Sequence, residues 1–164
     1  MNLTFAPRGI LQIDDARIIY RNFSGEASKY NREGDRNFAV VIDDQEVADA
    51  LLADTNDMGA SWNVKIKPPR EEGDSPFMYL PVKLKFSDRG PNIYLVTGDR
   101  MNRLDEESVS CLDDVDIRSV DLDIRPYDDE INGKPFRSAY LQAIKVVQEV
   151  DRFAAQDSYN TDRF

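Results

Sequence analysis

Between Phe77 and Phe86 the chain alternates with strand periodicity. Met78, Leu80, Val82, Leu84 and Phe86 are apolar, and Phe77, Tyr79, Lys83 and Lys85 lie between them. Side chains on a strand point alternately to two faces, so this run predicts one face on a core and another turning two aromatics and two cations outward. Residues 16–23 are rich in β-formers, with Arg17, Arg21 and Phe23 on one face, and residues 36–43 predict a second strand. Together 16–43 reads as a long hairpin whose polar tip, Ser24 to Asp35, holds Lys29, Tyr30 and Arg32. Trp62, Val64 and Ile66 alternate with Lys65 and Lys67, which predicts a third strand with the apolar set inward.

The loop Pro68–Asp74, with Arg70, precedes the 77–86 strand, and the turn Asp88-Arg89-Gly90-Pro91 leads to another strand at Asn92–Val96. Residues 117–125 place Val120, Leu122 and Ile124 inside and Asp121, Asp123 and Arg125 outside. A helix capped by Asp43 or Asp44 is predicted through Val47, Ala50 and Leu51, and a second short one from Asp105 to near Leu112. Residues 136–148 fit either element: Tyr140, Leu141, Ile144 and Val147 have helical spacing, while Val146-Val147 and the preceding Asn132-Gly133 turn favour a strand. The expectation is a mainly β chain with two short helices, an OB-fold-like five-stranded β-barrel with hairpin extensions, against a β-sandwich as competitor. Residues 1–150 are expected to form one OB-like domain and 151–164 a surface tail.

Composition narrows the chemistry. The 164 residues include no histidine and one cysteine, Cys111. That removes histidine-based nucleophilic triads, histidine-ligated metals and a disulfide framework, and it moves expectation away from an enzyme and away from any cofactor. No run of about 18 apolar residues predicts a membrane span, and the N-terminus does not read as a signal peptide. The net charge of −10 is segregated. Residues 16–40 hold five basic and three acidic side chains and 61–90 six and four, whereas 41–60 hold six acids and no base, and 91–132 twelve acids against four bases. A polyanion responds to local potential, so the two aromatic-bearing stretches stay attractive to it.

The candidate surface is therefore basic and aromatic. Arg17, Arg21, Phe23, Lys29, Tyr30, Arg32 and Arg36 come from the first hairpin; Lys65, Lys67, Arg70, Phe77, Tyr79, Lys83, Lys85 and Arg89 come from the middle strands. Rings that stack on bases, with cations that follow phosphates, are the chemistry of single-stranded nucleic-acid binding. Phe38 and Trp62 read as core, leaving Tyr30, Phe77 and Tyr79 as the stacking candidates. The competing reading is a Mg²⁺-dependent nuclease built on Asp121 and Asp123 with Lys134 or Lys145, but paired acids are expected by chance in a chain with 31 of them. A structural virion or assembly β-protein is a third.

The segments Asn22-Phe-Ser-Gly25, Tyr30-Asn-Arg-Glu-Gly-Asp-Arg-Asn-Phe38, Trp62-Asn-Val-Lys65, Tyr79-Leu-Pro-Val-Lys83, Arg89-Gly-Pro91, Asp121-Leu-Asp-Ile-Arg-Pro-Tyr127 and Tyr140-Leu-Gln142 resemble a bacteriophage single-stranded-DNA-binding protein of the OB-fold type. The resemblance covers roughly residues 16 to 150. It implies a replication, recombination and repair accessory that coats single-stranded DNA in the cytoplasm of a bacterial host, commonly as a dimer or cooperatively. It also implies a C-terminal tail whose terminal aromatic, here Phe164, recruits replication proteins, although Arg163 and the tail's weak acidity depart from that pattern.

Overall fold

A computed structural model describes residues 1–150. The expected tail at 151–164, with Phe164, lies outside the described residues. The strands are β1 (Asn2–Phe5), β2 (Leu11–Ala16), β3 (Ile18–Asn22), β4 (Arg36–Ile42), β5 (Lys65–Lys67), β6 (Phe77–Leu84), β7 (Asn92–Thr97), β8 (Arg100–Leu104), β9 (Ile117–Ile131) and β10 (Lys134–Gln148), with one α-helix, α1 (Gln45–Ala53), between β4 and β5. The mainly β class is as expected, but the count is ten strands rather than five. The second expected helix is only a 3-10 turn, Val109–Asp113. Residues 136–148 form a strand, paired residue by residue with β9.

The hydrogen-bonded order is β1-β2-β9-β10-β6-β4-β3, and this sheet does not close on itself. Its continuity lies in the chain instead. Arg17 alone separates β2 from β3, so residues 11–22 are one bent stretch that pairs with β9 through β2 and with β4 through β3. With β6 and β10 in parallel contact at Lys83 and Tyr140, five lengths of chain surround one core in the manner of a partly open barrel. β7 and β8 extend the second half of β10, and β5 pairs with the outer edge of β6.

The alternation read from β6 is what fills this core. Met78, Leu80, Val82 and Leu84 are buried beside Phe38, Val40 and Ile42 of β4 and Val120, Leu122 and Ile124 of β9. Asp44 caps α1 by accepting from the Glu46 N–H at 2.8 Å, and Ala48 and Leu51 face the core. Trp62 is buried as expected, but Ile66 is 54% exposed because β5 is a three-residue edge strand. A polar network ties the helix end to the β9–β10 hairpin. Buried Arg137 donates to Asp128 through Nε at 2.7 Å and Nη2 at 3.1 Å, lies 3.5 Å from Asp54, and sits 5.1 Å from the Trp62 ring. The Trp62 indole N–H in turn donates to Asp54 at 2.8 Å.

Candidate nucleic-acid interface

The outer surface of β3, β4 and β6 is set by a single irregularity. The register between β3 and β4 slips between Ile19 and Asn22, and Tyr20 sits at a φ of 54°. A bulge of this kind reverses the alternation of side chains beyond it. Tyr20 is consequently turned outward, 56% exposed, although sequence alternation alone did not select it. The same reversal corrects the expectation for Phe23. That ring is fully buried and stacks on Phe38 at 5.1 Å, so it is core and cannot meet a base.

Two arginines expected on this surface are committed to holding it together. Arg21 donates through Nη1 to the carbonyls of Leu112 and Val115 at 2.9 and 2.7 Å, fixing the 3-10 turn to β3. Arg36 donates to the carbonyls of Phe23 and Glu106, lies 4.0 Å from the Glu106 carboxylate and covers the Phe86 ring. Arg17 is exposed at the β2–β3 bend, Arg70 in the loop before β6 and Arg89 in the turn after it.

What remains forms a groove of about 740 Å³ lined by Tyr20, Tyr30, Tyr79, Asn31, Asn37 and Lys67, among others. The rings are organised rather than scattered. Tyr20 meets Tyr79 edge-to-face at 5.6 Å, and Phe77 lies 5.7 Å from Tyr79. The Lys67 ammonium sits 5.5 Å from the Tyr20 ring and 5.6 Å from that of Tyr79, and it donates to the Tyr20 hydroxyl at 3.3 Å. Lys65 lies opposite Tyr79, and Lys67 opposite Phe77, across the β5–β6 ladder. Beneath the rings Ala39 and Val41 are buried but stand apart from the main core cluster, giving the sheet's outer side a small apolar floor. Edge-to-face aromatics fixed by a shared cation are preorganised, so little side-chain entropy is lost when a base stacks on them.

The wall of the groove is the 24–35 loop. Its neck closes where the Gly34 N–H donates to the Gly25 carbonyl at 2.8 Å. Gly25 has a φ of 73°, and a Cβ there would meet the Gly34 backbone at 3.2 Å, so both its conformation and its space require glycine. Inside the loop the Asn31 amide nitrogen lies within 3.0 Å of the carbonyls of Glu26, Arg32 and Asp35, while its oxygen accepts from Asn37. This anchoring presents Lys29, Tyr30 and Arg32 to solvent. Tyr30 is 90% exposed with Lys29 5.6 Å from its ring. Lys83 is exposed farther along the same β6 face, and Lys85 just past the end of the strand.

The carboxylates of the competing reading are arranged otherwise. Asp121 accepts from the Asp15 N–H at 2.9 Å and lies 3.8 Å from the Lys145 ammonium. Burial, then the nearby Asp14 charge, raises the Asp123 carboxyl above its ordinary value. Among the described residues no three metal-type ligands gather at one point.

Known structures share this architecture. The chain is similar to the single-stranded DNA-binding protein from bacteriophage Enc34 with a C-terminal truncation, at 13% identity, a TM-score of 0.57 and coverage of 92% of this chain and 91% of that one. The form without the truncation matches at 15% identity and a TM-score of 0.53 over 96% and 94% of the two chains. The same protein in complex with ssDNA matches at 15% identity and 0.51 over 93% of each. No curated protein sequence matches the chain. A family model does, over residues 3–160, described as "Putative phage ssDNA-binding domain". With nearly the whole length matched, the chain belongs to this phage ssDNA-binding domain family.

Proposed function

We propose that this protein binds single-stranded DNA without reading its sequence and protects exposed strands during phage DNA replication, recombination and repair. The observation that carries this reading is the Tyr20–Tyr79–Phe77 ring set with Lys67 placed between two of its members. Such a set offers π-faces that any base can stack on, next to a cation for the phosphate backbone. Phe77, Tyr79 and Tyr30 stack; Lys29, Arg32, Lys65, Lys67, Lys83 and Lys85 contact phosphates, with Arg17, Arg70 and Arg89 at the margins. Family membership supports the ligand, as does a similar fold solved with ssDNA.

The protein acts as a binder rather than an enzyme, in the bacterial cytoplasm that its lone cysteine suits. Fluorescence anisotropy of labelled oligo-dT with duplex competitor, at two salt concentrations and with or without Mg²⁺, tests the reading. Tight, salt-weakened single-strand binding with intact DNA is expected. Mg²⁺-dependent cleavage would move the reading to a nuclease, and absence of binding at low salt would overturn it. Homodimer formation and recruitment of replication proteins through Phe164 belong to the same proposal. Sedimentation tests the first, and pull-down of host or phage replication proteins with and without residues 151–164 tests the second.

A further inference from the structure

Another aromatic–cation pair lies outside the groove just described. On β9 and β10 the Arg125 guanidinium is 5.0 Å from the Tyr140 ring, and Tyr127 meets that ring edge-to-face at 5.9 Å. Strand register connects the pair to the groove. Asn22 lies opposite Asn37, Asn37 opposite Lys83, Lys83 opposite Tyr140, and Tyr140 opposite Arg125. Residues directly opposite one another across a ladder share a face. These five therefore make one row across five strands on the outer surface. The space along the row is continuous as well: a second groove of about 500 Å³, lined by Lys83, Lys85, Phe86 and Tyr140, shares Asn37 with the first.

We infer that Tyr140, with Arg125 beside it, is a second base-stacking station, and that one DNA strand runs over the outer face of β6 from the Tyr20–Tyr79 groove to this row. The inference rests on the single-strand-binding reading and extends it to a path and a length. Tyr79 and Lys83 are four residues apart on β6 and Tyr140 is one strand farther, which places the stations roughly 14 Å apart at ~3.3 Å per residue and ~4.8 Å per strand. Nucleotides at a duplex-like ~3.4 Å rise cover that gap in about four steps. Lys83 lies beside the second station and Lys85 two residues past it, both exposed to meet the phosphates. The acids in this second groove limit the charge there: Glu106 is the partner of Arg36, and Asp35 is exposed. Beyond Arg125 the surface turns acidic, with the Tyr127 hydroxyl donating to Asp129 at 3.0 Å, so the path ends at Tyr140 and Arg125.

Length dependence tests this path in a way that a merely structural Tyr140 would not move. An oligo-dT series from four to twelve nucleotides, measured by anisotropy, is expected to gain affinity steeply once the oligomer reaches both stations, within the ~4–16 nucleotides usual for such folds. Tyr140→Leu keeps apolar bulk on the hairpin. It is expected to bind dT4 as the wild type does and to lose about 5- to 140-fold on dT10, the range one lost stack gives. Arg125→Gln should flatten the salt dependence on dT10 only. Equal binding by Tyr140→Leu at every length overturns the second station and leaves Arg125–Tyr140 as a hairpin support. Failure of the wild-type protein to bind any length overturns the underlying reading instead. Should Tyr140→Leu fail to fold, photocrosslinking of a 5-iododeoxyuridine dT10 to the wild-type chain decides: a crosslink at Tyr140 is expected, and crosslinks confined to the first groove overturn the proposal.

Discussion

Replacing Tyr79 by alanine isolates the stacking term. The ring touches Tyr20, Phe77 and Lys67, while its hydroxyl has no hydrogen-bond partner among the described residues. Tyr79→Phe therefore keeps everything the groove uses and should bind within about twofold of the wild type. Tyr79→Ala removes one stack, roughly 1–3 kcal/mol, which at ~1.4 kcal/mol per decade is about 5- to 140-fold in Kd. Stability falls by no more than a comparable amount. The inner face of β6 is untouched, and the lost aromatic pairs contribute about 0.5–1.5 kcal/mol each. Because no charge is removed, log K against log salt should keep its slope. Lys67→Ala should instead flatten that slope by about 0.7, the value for one phosphate contact on a single strand. The assay is anisotropy titration of oligo-dT at four salt concentrations, with thermal melts on the same samples. Wild-type affinity in Tyr79→Ala, or equal damage from Tyr79→Phe, would refute the stacking argument. So would a binding loss that appears only where the variant is partly unfolded.

Phe23→Ala should cost about 3–5 kcal/mol in urea unfolding, as expected for a large buried ring, and leave binding unchanged where the variant is folded. A selective binding defect would return Phe23 to the surface. Arg137→Ala should cost about 3 kcal/mol, the low end for breaking a buried ion pair because Asp128 and Asp54 keep some water; chemical denaturation measures it. The Arg137 hydrogen bonds hold the Asp128 carboxyl below its ordinary value in the folded state. The resulting stability is complete above the unfolded carboxylate value of ~3.9 and is lost as pH falls from there through the lower folded value. Melts between pH 6 and pH 2 should fall more steeply for the wild type than for Asp128→Asn, and parallel curves would remove Asp128 from the acid limb.

Where side chains alternate without interruption, the fold was legible from the sequence. β6 could be read face by face, because each inward residue is apolar and the outward ones, Pro81 apart, are aromatic or charged. Local chemistry narrowed the helix cap to Asp43 or Asp44, whereas 136–148 fitted helix and strand alike and only its pairing with β9 decides it. The errors have a common origin in features that carry no residue-level mark. A bulge at Tyr20, a residue type with no preference for positive φ, exchanged the roles of Tyr20 and Phe23. β2 went unseen because Asp14 and Asp15 break the alternation between Ile13 and Ala16, and β8 because an edge strand with little buried surface has little hydrophobic pattern. Tyr140 was visible as a residue but not as a site. Its meaning comes from Lys83 on a neighbouring strand, 57 positions away in the chain, and alternation within one strand cannot report such a pairing.

The bend at Arg17 bears on the order in which the molecule can be made. Residues 11–22 leave the ribosome ahead of β4, and β3 finds that partner soon afterwards. β2 must wait for β9, more than a hundred residues later. Such long-range pairing is the slow part of folding, since loop-closure entropy is lost before any contact compensates for it. A chain stopped before residue 117 has the whole first groove in its sequence but lacks the strands that seal the apolar underside of β2 and β6. The first groove is thus complete in the sequence before the strands that stabilise it are made, so a nascent or truncated form would expose core rather than act as a smaller binder.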